Sequence, residues 1–125
     1  MITITEKGDF KTVTEYLNRL KTQDQYRTLN KYGSLGVSAL SNATPVESGE
    51  TAASWSYSIV VKPGYYSIRW HNSHIEDGVN IAVILQYGHG TRNGGYVQGR
   101  DYIMPPMRAI FDQIAEEAWR EVTRV

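Results

Sequence analysis

Apolar residues recur at helical spacing in two stretches near the start of the chain. The stretches 9–21 and 24–42 place an apolar residue at every third or fourth position, which predicts two helices with one apolar face each. The second helix is expected to end before Pro45, because the residue before a proline avoids helical geometry. Gly33 and Gly36 lie in its middle, and they indicate either close packing against another backbone or a bend.

The spacing then changes to alternation, after a polar stretch, 44–54, that we expect to be a loop. Residues 54–61 alternate between polar and apolar, which predicts a half-buried strand. Residues 62–64 predict a turn, and residues 66–71 alternate again, so the two strands are expected to form an antiparallel hairpin. The nearly unbroken apolar run Ile81–Tyr87 predicts a third strand that is covered on both faces.

The clearest helical pattern lies at the end of the chain. Pro105 and Pro106 suit the first turn of a helix, and apolar residues then recur at helical spacing, at Met107, Ile110, Phe111, Ile114, Ala115, Ala118, Trp119 and Val122. The preceding segment, 88–104, is rich in glycine and poor in aliphatic residues. Because loops longer than about 12–15 residues are usually functional or disordered, we expect this segment to be a flexible arm.

Together these elements predict a single α+β domain over residues 1–125. We expect two N-terminal helices, an antiparallel sheet of three to four strands that carries the long Gly-rich arm, and a long C-terminal helix packed on the sheet. A hydrophobic content of 41% is enough to build a core in a chain of this length.

Charge and composition narrow the range of functions. Thirteen basic side chains balance thirteen acidic ones, which does not suit a protein that binds nucleic acid through an excess of positive charge. The absence of cysteine excludes disulfides, thiolate catalysis and Cys-based zinc sites. No secretion signal is evident, and no apolar run approaches the ~20 residues that span a bilayer. We therefore expect a soluble protein, used without secretion and without a membrane partner.

The histidines offer candidate chemistry without a recognised motif. His71 and His74 lie close to Glu76 and Asp77, but no third ligand stands at a spacing typical of a metal site. The glycines of the arm match neither a P-loop nor a dinucleotide-binding fingerprint. We expect no catalytic residue, no metal site and no cofactor.

An alternative interpretation assigns chemistry to His89, Arg92 and Asp101. Histidine close to arginine suits anion binding or acid–base work, so the 88–104 loop could serve a small enzyme or a nucleic-acid-processing factor. Catalysis, however, needs a partner that orients or activates the histidine, and the nearest acid, Asp101, lies across the arm. Glycines on both sides of His89 more simply indicate a backbone that turns sharply or lies against another surface.

Two motifs resemble one family of phage proteins. In TPVESGETAASWSY (44–57), a Thr-Pro-Val-x-Ser-Gly turn precedes a Ser-Trp strand, and in LQYGHGTRNGGYVQGRDYIMPP (85–106), a strand end leads to a Gly-rich arm and a proline-marked helix. With the long terminal helix, these motifs resemble the small head–tail connector proteins of long-tailed bacteriophages and prophages, also described as minor capsid, neck or tail-completion proteins. The resemblance covers nearly the whole chain. One departure is 50–53, Glu-Thr-Ala-Ala, where the family has a stretch that contains Arg and Leu.

The resemblance implies a structural virion protein and not an enzyme. Copies of the chain would form a ring, expected to be a hexamer, at the neck between the DNA-filled head and the tail. The ring would contact head-closure proteins and tail-terminator or other tail proteins, and would touch the passing DNA only passively. The protein would occupy the host cytoplasm during assembly and the virion afterwards. A milder alternative is a tail terminator protein that caps the tail tube.

Two groups of residues are the expected contact sites. The partner-binding arm comprises Tyr87, Gly88, His89, Gly90, Thr91, Arg92, Gly95, Tyr96, Val97, Gly99 and Arg100, and the family turn comprises Thr44, Pro45, Gly49, Ser54 and Trp55. An arm that orders on a partner covers more surface than a small domain otherwise could. Contacts between ring subunits suit a neutral surface with nine Tyr and three Trp residues.

Overall fold

The computed structural model describes the backbone of residues 2–4 and the whole of residues 10–45, 49–91 and 93–124. Within these ranges the helices are α1 (Lys11–Asn18), α2 (Thr22–Ala43), α3 (Gly49–Ala52), α4 (Ile81–Tyr87) and α5 (Met104–Val122). The strands are β1 (Ile2–Ile4), β2 (Trp55–Lys62), β3 (Tyr65–Asn72), β4 (Ile75–Glu76), β5 (Val79–Asn80), β6 (Gly88–Gly90) and β7 (Tyr96–Gln98). The α+β class, the two N-terminal helices and the long C-terminal helix are confirmed.

The main sheet is antiparallel, with strand order β1-β3-β2. Its centre is the predicted hairpin, in which β2 and β3 pair along their full length from Trp55 opposite Asn72 to Lys62 opposite Tyr65. Pro63 and Gly64 make the turn between them, as the sequence predicts. Alternation along both strands places one face of the hairpin against the helices and leaves the other more exposed.

The predicted third strand at Ile81–Tyr87 is wrong, because these residues form α4. The Asn80 side chain caps this helix by accepting a hydrogen bond from the backbone N–H of Val83, at 3.3 Å. A short apolar run does not distinguish a buried strand from a buried helix turn, and only the tertiary surroundings do. The third strand of the sheet is instead β1, which pairs antiparallel with β3.

The predicted loop at 44–54 is wrong in part, since residues Gly49–Ala52 form the single helical turn α3. Residues 46–48 lie outside the described residues. The end of α2 before Pro45 is confirmed, because Thr44 adopts an extended conformation at the helix C-terminus. The connection after β3 also contains the small β4–β5 hairpin, which the sequence analysis did not foresee.

The two glycines of α2 are explained by close packing. A Cβ atom at Gly33 would collide with the ring of Tyr57, and one at Gly36 would collide with the indole of Trp70. The indole N–H of Trp70 also donates a hydrogen bond to the carbonyl oxygen of Gly33, at 3.0 Å. The helix therefore approaches the sheet closely enough for two aromatic rings to lie directly on its backbone.

The C-terminal helix completes the core. Phe111 packs edge-on against Trp70, with ring centroids 6.2 Å apart. The buried core joins both sheet tryptophans to α2, α4, α5 and the residues just before α5, and its members are Leu40, Trp55, Trp70, Ala82, Tyr102, Ile103 and Met107. Trp119 was placed on the apolar face by its spacing, but its exposed fraction is 63%, so that assignment is wrong.

Candidate functional site

The Gly-rich segment after α4 forms a second, much smaller hairpin. Strands β6 and β7 pair antiparallel, with His89 opposite Val97 and Gly90 opposite Tyr96. The tip is closed by hydrogen bonds from the backbone N–H of Thr91 to the carbonyl of Gly95, at 2.9 Å, and from the Gly95 N–H to Thr91 Oγ1, at 3.0 Å. Arg92, which the sequence analysis placed in the contact set, lies outside the described residues.

Two positions at the base of this hairpin, Gly88 and Gly99, have no room for a side chain. Gly88 has a φ of +83°, and a Cβ there would meet the carbonyl oxygen of Val97 and the hydroxyl of Tyr96. A Cβ at Gly99 would collide with the backbone of the residues that end α4. The Tyr96 hydroxyl donates to the carbonyl oxygen of Tyr87, at 2.8 Å. The hairpin therefore leaves α4 at a defined angle.

The chain returns from the hairpin into the core, so the predicted arm, 88–104, is too long at its C-terminal end. Tyr102 and Ile103 are both 3% exposed. The Gln86 side chain accepts hydrogen bonds from both of their backbone N–H groups, at 3.1 and 3.2 Å, and donates one to Asp101, at 2.8 Å. Gln86 thus ties the end of α4 to the start of α5, and the projecting part of the segment is the hairpin 88–98.

Burial raises the pKa of the Tyr102 hydroxyl. Its hydroxyl donates to the carbonyl oxygen of Ala82, at 2.9 Å, inside the core. Removal from water disfavours the charged phenolate and raises the pKa of Tyr102 to about 12. The phenol therefore stays neutral at physiological pH and acts as a structural donor beneath the hairpin.

Apolar side chains are exposed on the hairpin and at its base. The exposed fractions are 68% for Tyr87, 66% for Tyr96 and 47% for Val97. Because successive strand residues point to opposite faces, Tyr96 and Val97 place apolar surface on both sides of the hairpin. An ordered, projecting element with exposed apolar groups is typical of a surface that a partner covers.

The geometry around His89 does not form an acid–base pair among the described residues. The Nδ1 atom of His89 is buried and has no hydrogen-bond partner. Asp101 is engaged elsewhere, since its Oδ1 atom accepts from Gln86 and, at 3.4 Å, from the backbone N–H of Met104. Within the described residues, no hydrogen bond joins His89 to Asp101.

Two residues of the family turn, Thr44 and Trp55, have a structural role in the core, whereas Gly49 is exposed. The Thr44 hydroxyl donates to the carbonyl oxygen of Leu40, at 2.7 Å, and accepts from the indole N–H of Trp55, at 3.0 Å. Both Thr44 and Trp55 are buried. Ser54 caps the short helix between them by donating to the carbonyl oxygen of Glu50, at 2.7 Å. The spacing of Thr and Trp in the motif thus reflects a hydrogen bond that joins α2 to β2.

A third group of polar side chains surrounds His74. Its Nε2 atom lies 3.0 Å from a carboxylate oxygen of Glu76 and 3.4 Å from one of Glu50, and its Nδ1 atom lies 2.6 Å from the Thr51 hydroxyl. His71, which the sequence places near His74, instead faces Ser58 at 3.1 Å on the sheet. Glu50 was not predicted as part of this group, because it lies 24 residues before His74 and only the fold of α3 brings it there.

An apolar cleft of about 350 Å³ lies between α1, α2, β3 and α5. Among the described residues that line it are Leu17, Tyr32, Ile68 and Trp70, and none is an Asp, Glu or His. The Tyr32 hydroxyl is buried there without a hydrogen-bond partner. The described walls of this cleft offer no general base.

Comparisons with protein-family models, with curated proteins and with solved structures give no match to this chain. No helix within the described ranges is long and apolar enough to cross a membrane. The assignment of function therefore depends on the sequence motifs and on the geometry of the hairpin.

Proposed function

We propose that this chain is a structural virion protein of the phage neck, which forms a ring that joins the DNA-filled head to the tail. The proposal rests mainly on the small β6–β7 hairpin, which exposes Tyr96 and Val97 next to the exposed Tyr87 at the end of α4. The hairpin coincides with the second of the two motifs that resemble head–tail connector proteins. In this role the hairpin clasps a neighbouring subunit or an adjacent ring.

The construction of the hairpin supports a clasp in preference to a catalytic loop. Its strands have three residues each, and all three side chains of β7 are exposed. Such a short hairpin gains little stability from its own pairing, so its position depends on Gly88, Gly99 and Gln86 at the base. A partner that adds strands or covers the two tyrosines would bury apolar surface that is now in contact with water.

The balance of charge also suits a ring through which DNA passes. The chain carries thirteen basic and thirteen acidic side chains. A strongly positive lumen would retain DNA through phosphate contacts, whereas a neutral ring leaves the genome free to move. Closed rings form when head-to-tail contacts between identical subunits repeat with a constant rotation, and one projecting element per subunit is a simple way to make such a contact.

The test is deletion of the gene from an inducible prophage, followed by electron microscopy of the lysate. We expect filled heads and separate, mature tails of normal length. Tails of uncontrolled length would instead favour the tail terminator alternative, because an uncapped tube continues to polymerise. Intact virions would contradict both.

Complementation with point variants then assigns the role to the hairpin. The double variant Tyr96→Ser and Val97→Ser is expected to leave heads and tails separate while the purified protein remains folded. Tyr26→Ser is the control, since Tyr26 is 44% exposed and belongs to α2, a different element from the hairpin, and it is expected to restore virions. His89→Ala tests the enzyme alternative, which predicts loss of an activity by a folded protein.

A further inference from the structure

Three side chains from three different elements converge beside the start of β4. Glu50 comes from α3, His74 from the segment after β3, and Glu76 from β4. Their ligand atoms, one from each residue, all lie within 4.8 Å of one another. We propose that these three residues form a binding site for a divalent transition-metal ion, with Zn²⁺ as the preferred occupant. The proposal does not depend on the role of the chain in a phage neck.

The spacing of the donor atoms suits coordination. Zinc lies ~2.0–2.2 Å from imidazole nitrogen and carboxylate oxygen, so two ligands of a tetrahedral ion are about 3.4 Å apart. The Nε2 atom of His74 is 3.4 Å from the Glu50 oxygen and 3.0 Å from the Glu76 oxygen. The two distances from His74 are close to that spacing, and all three ligand atoms lie within 4.8 Å of one another, so rotation of the two exposed Glu side chains can bring the three donors around one ion, with water as the fourth ligand.

The imidazole is oriented by a buried network before any ion arrives. The His74 side chain is 8% exposed, and its Nδ1 atom lies 2.6 Å from the hydroxyl of the fully buried Thr51. When Nδ1 carries the proton and donates it to Thr51, Nε2 is left with its lone pair facing the two carboxylates. Metal-binding histidines usually have such a partner on the other ring nitrogen, which fixes the tautomer and the ring position.

A second buried residue, Asn72, holds the parts of this network together. Its side-chain oxygen accepts from the backbone N–H of His74, at 2.9 Å, and its side-chain nitrogen donates to the carbonyl oxygen of Thr51, at 2.8 Å. Asn72 therefore links α3 to the end of β3. The histidine and the helix that carries Glu50 are thus placed relative to each other by hydrogen bonds that leave the three proposed ligand atoms free.

The charges of the cluster favour an ion over a purely hydrogen-bonded arrangement. In the metal-free protein, a neutral imidazole with its proton on Nε2 faces two carboxylates and donates well to only one of them. Metal binding at Nε2 requires the other tautomer, in which Nδ1 carries the proton and donates it to Thr51. The two carboxylates of Glu50 and Glu76 are then like charges in close proximity. A dication neutralises both, and the exposed fractions of their side chains, 75% and 62%, leave room for the ion to enter from solvent.

The donor set indicates which ions fit. Imidazole nitrogen suits zinc and its neighbours, whereas Mg²⁺ and Ca²⁺ are bound by oxygen ligands. The affinities of such sites for first-row dications rise from Mn²⁺ to Cu²⁺ and fall again at Zn²⁺, so Zn²⁺ is expected to exceed Mn²⁺. Cu²⁺ prefers tetragonal geometry, whereas the spacing of these donors suits a tetrahedral ion. The bound ion would link α3 to β4 and so fix the family turn, which follows α2, against the end of the sheet.

The experiment uses the full-length chain without a histidine tag, freed of metal by a chelator and titrated with Zn²⁺ by calorimetry. We expect one ion per chain, and an increase in Tm on the order of 10 °C when free zinc exceeds Kd about a hundredfold. Mg²⁺ is expected to give no comparable increase. Absence of saturable zinc binding by the folded wild-type protein would overturn the proposal.

Substitutions of the two proposed carboxylate ligands test where the ion binds. Glu50→Gln and Glu76→Gln keep the size of two exposed side chains and are expected to remove the dependence of Tm on zinc. Glu116→Gln is the matched control, because Glu116 is 74% exposed on α5 and is remote in sequence from the cluster, and it is expected to behave as wild type. Equal zinc binding by wild type, Glu50→Gln and Glu76→Gln would place the ion elsewhere and contradict the proposal.

A separate test distinguishes two roles of Thr51, orientation of the His74 ring by its hydroxyl and packing by its side chain. Thr51→Val removes the hydroxyl but none of the ligands, and it is expected to weaken zinc binding roughly 10- to 100-fold. Thr51→Ser keeps the hydroxyl and is expected to restore most of the affinity. If Val and Ser reduce the affinity equally, the loss comes from packing, and the proposed orientation of His74 by Thr51 is wrong.

Discussion

The molecule contains two prominent antiparallel hairpins, and they differ in almost every respect except their pairing. The β2–β3 hairpin has strands of eight residues, and its rings of Tyr57 and Trp70 lie on the backbone of α2. The β6–β7 hairpin has strands of three residues, and it exposes Tyr96 and Val97. The same motif thus builds the core in one place and projects from it in the other.

What a hairpin contributes here depends on the residues that cover it and not on its strand pairing. Burial of aromatic side chains stabilises the β2–β3 hairpin and everything packed on it. The β6–β7 hairpin has no such cover within the described residues, and its position comes from the glycines at its base. Changes in the first hairpin should therefore reduce stability, and changes in the second should reduce assembly.

The largest effect is expected from Gly36→Ala, which disturbs the contact between α2 and β3. The new Cβ would collide with the indole of Trp70, and the ring can move only by giving up its hydrogen bond to Gly33. We expect the free energy of unfolding to fall by about 3 kcal/mol, despite the better helix propensity of alanine. Chemical denaturation measures this change.

Gly49→Ala is the matched control for that substitution. Gly49 is also helical, but a Cβ there meets nothing within 4 Å. Its effect on the free energy of unfolding is expected to lie within about 0.5 kcal/mol. Equal losses for the two variants would show that the contact with Trp70 is not the cause.

A loss of stability of similar size is expected at high pH. It comes from Tyr102, at the point where the chain returns from the β6–β7 hairpin to the core. Burial raises the pKa of Tyr102 to about 12, from 10.0, so the folded state holds its proton more tightly than the unfolded chain does. The stabilisation is complete below pH 10 and is lost as the pH rises through about 12, by about 2–3 kcal/mol. Denaturation at pH 9 and pH 12 measures the loss.

Tyr102→Phe separates this effect from those of other tyrosines. The pKa of Tyr16 is also raised, first by burial and then by the charge of Glu117, so a general loss of stability at high pH is expected in every variant. The part that belongs to Tyr102 should be missing from Tyr102→Phe. An identical pH dependence in wild type and Tyr102→Phe would contradict the assignment.

A smaller loss is expected at the junction of α2 and β2. Thr44→Val removes the acceptor of the buried indole N–H of Trp55 while keeping the shape of the side chain. A buried donor without a partner costs about 1–3 kcal/mol, and we expect a value near the lower end. Thr44→Ser keeps the hydroxyl, and its thermal unfolding should remain closer to that of wild type.

Shortening the β6–β7 hairpin is expected to have the smallest effect on stability. It is also expected to have the largest effect on assembly. Residues 89–97 are replaced by Asn-Gly between Gly88 and Gln98, whose backbones pair, since a two-residue turn suits such a pair. The free energy of unfolding should change by less than about 0.5 kcal/mol, while virions fail to form in complementation. A large loss of stability would mean that the hairpin is part of the frame after all.

Several elements could be predicted because their pattern is long and local. The periodicity of α2 and α5, the proline at the start of α5 and the alternation of β2 and β3 are properties of neighbouring residues. The assignment of Ile81–Tyr87 to a strand failed because a run of seven residues, six of them apolar, suits either structure. The exposure of Trp119 could not be foreseen, since the width of the apolar face depends on what packs against it.

The candidate sites could also be predicted from the sequence only in part. The Gly-rich segment was recognisable from composition, but its anchoring through Gln86 and Tyr102 depends on contacts with α4. Thr44 and Trp55 were noted as a motif, and only the fold shows that they bond to each other. Glu50 gave no signal near His74, because distance along the chain carries no information about a contact that α3 creates.

The amino-acid sequence by itself determined the α+β class, the sheet hairpin, the two long helices and the existence of a Gly-rich projection. These follow from backbone preferences and from the periodic burial of apolar side chains, which act over a few residues. The tertiary structure alone decided that β1 completes the sheet, that α4 is helical, and that Glu50, His74 and Glu76 meet. Those outcomes depend on which surfaces cover one another, and that is settled by packing across the whole chain.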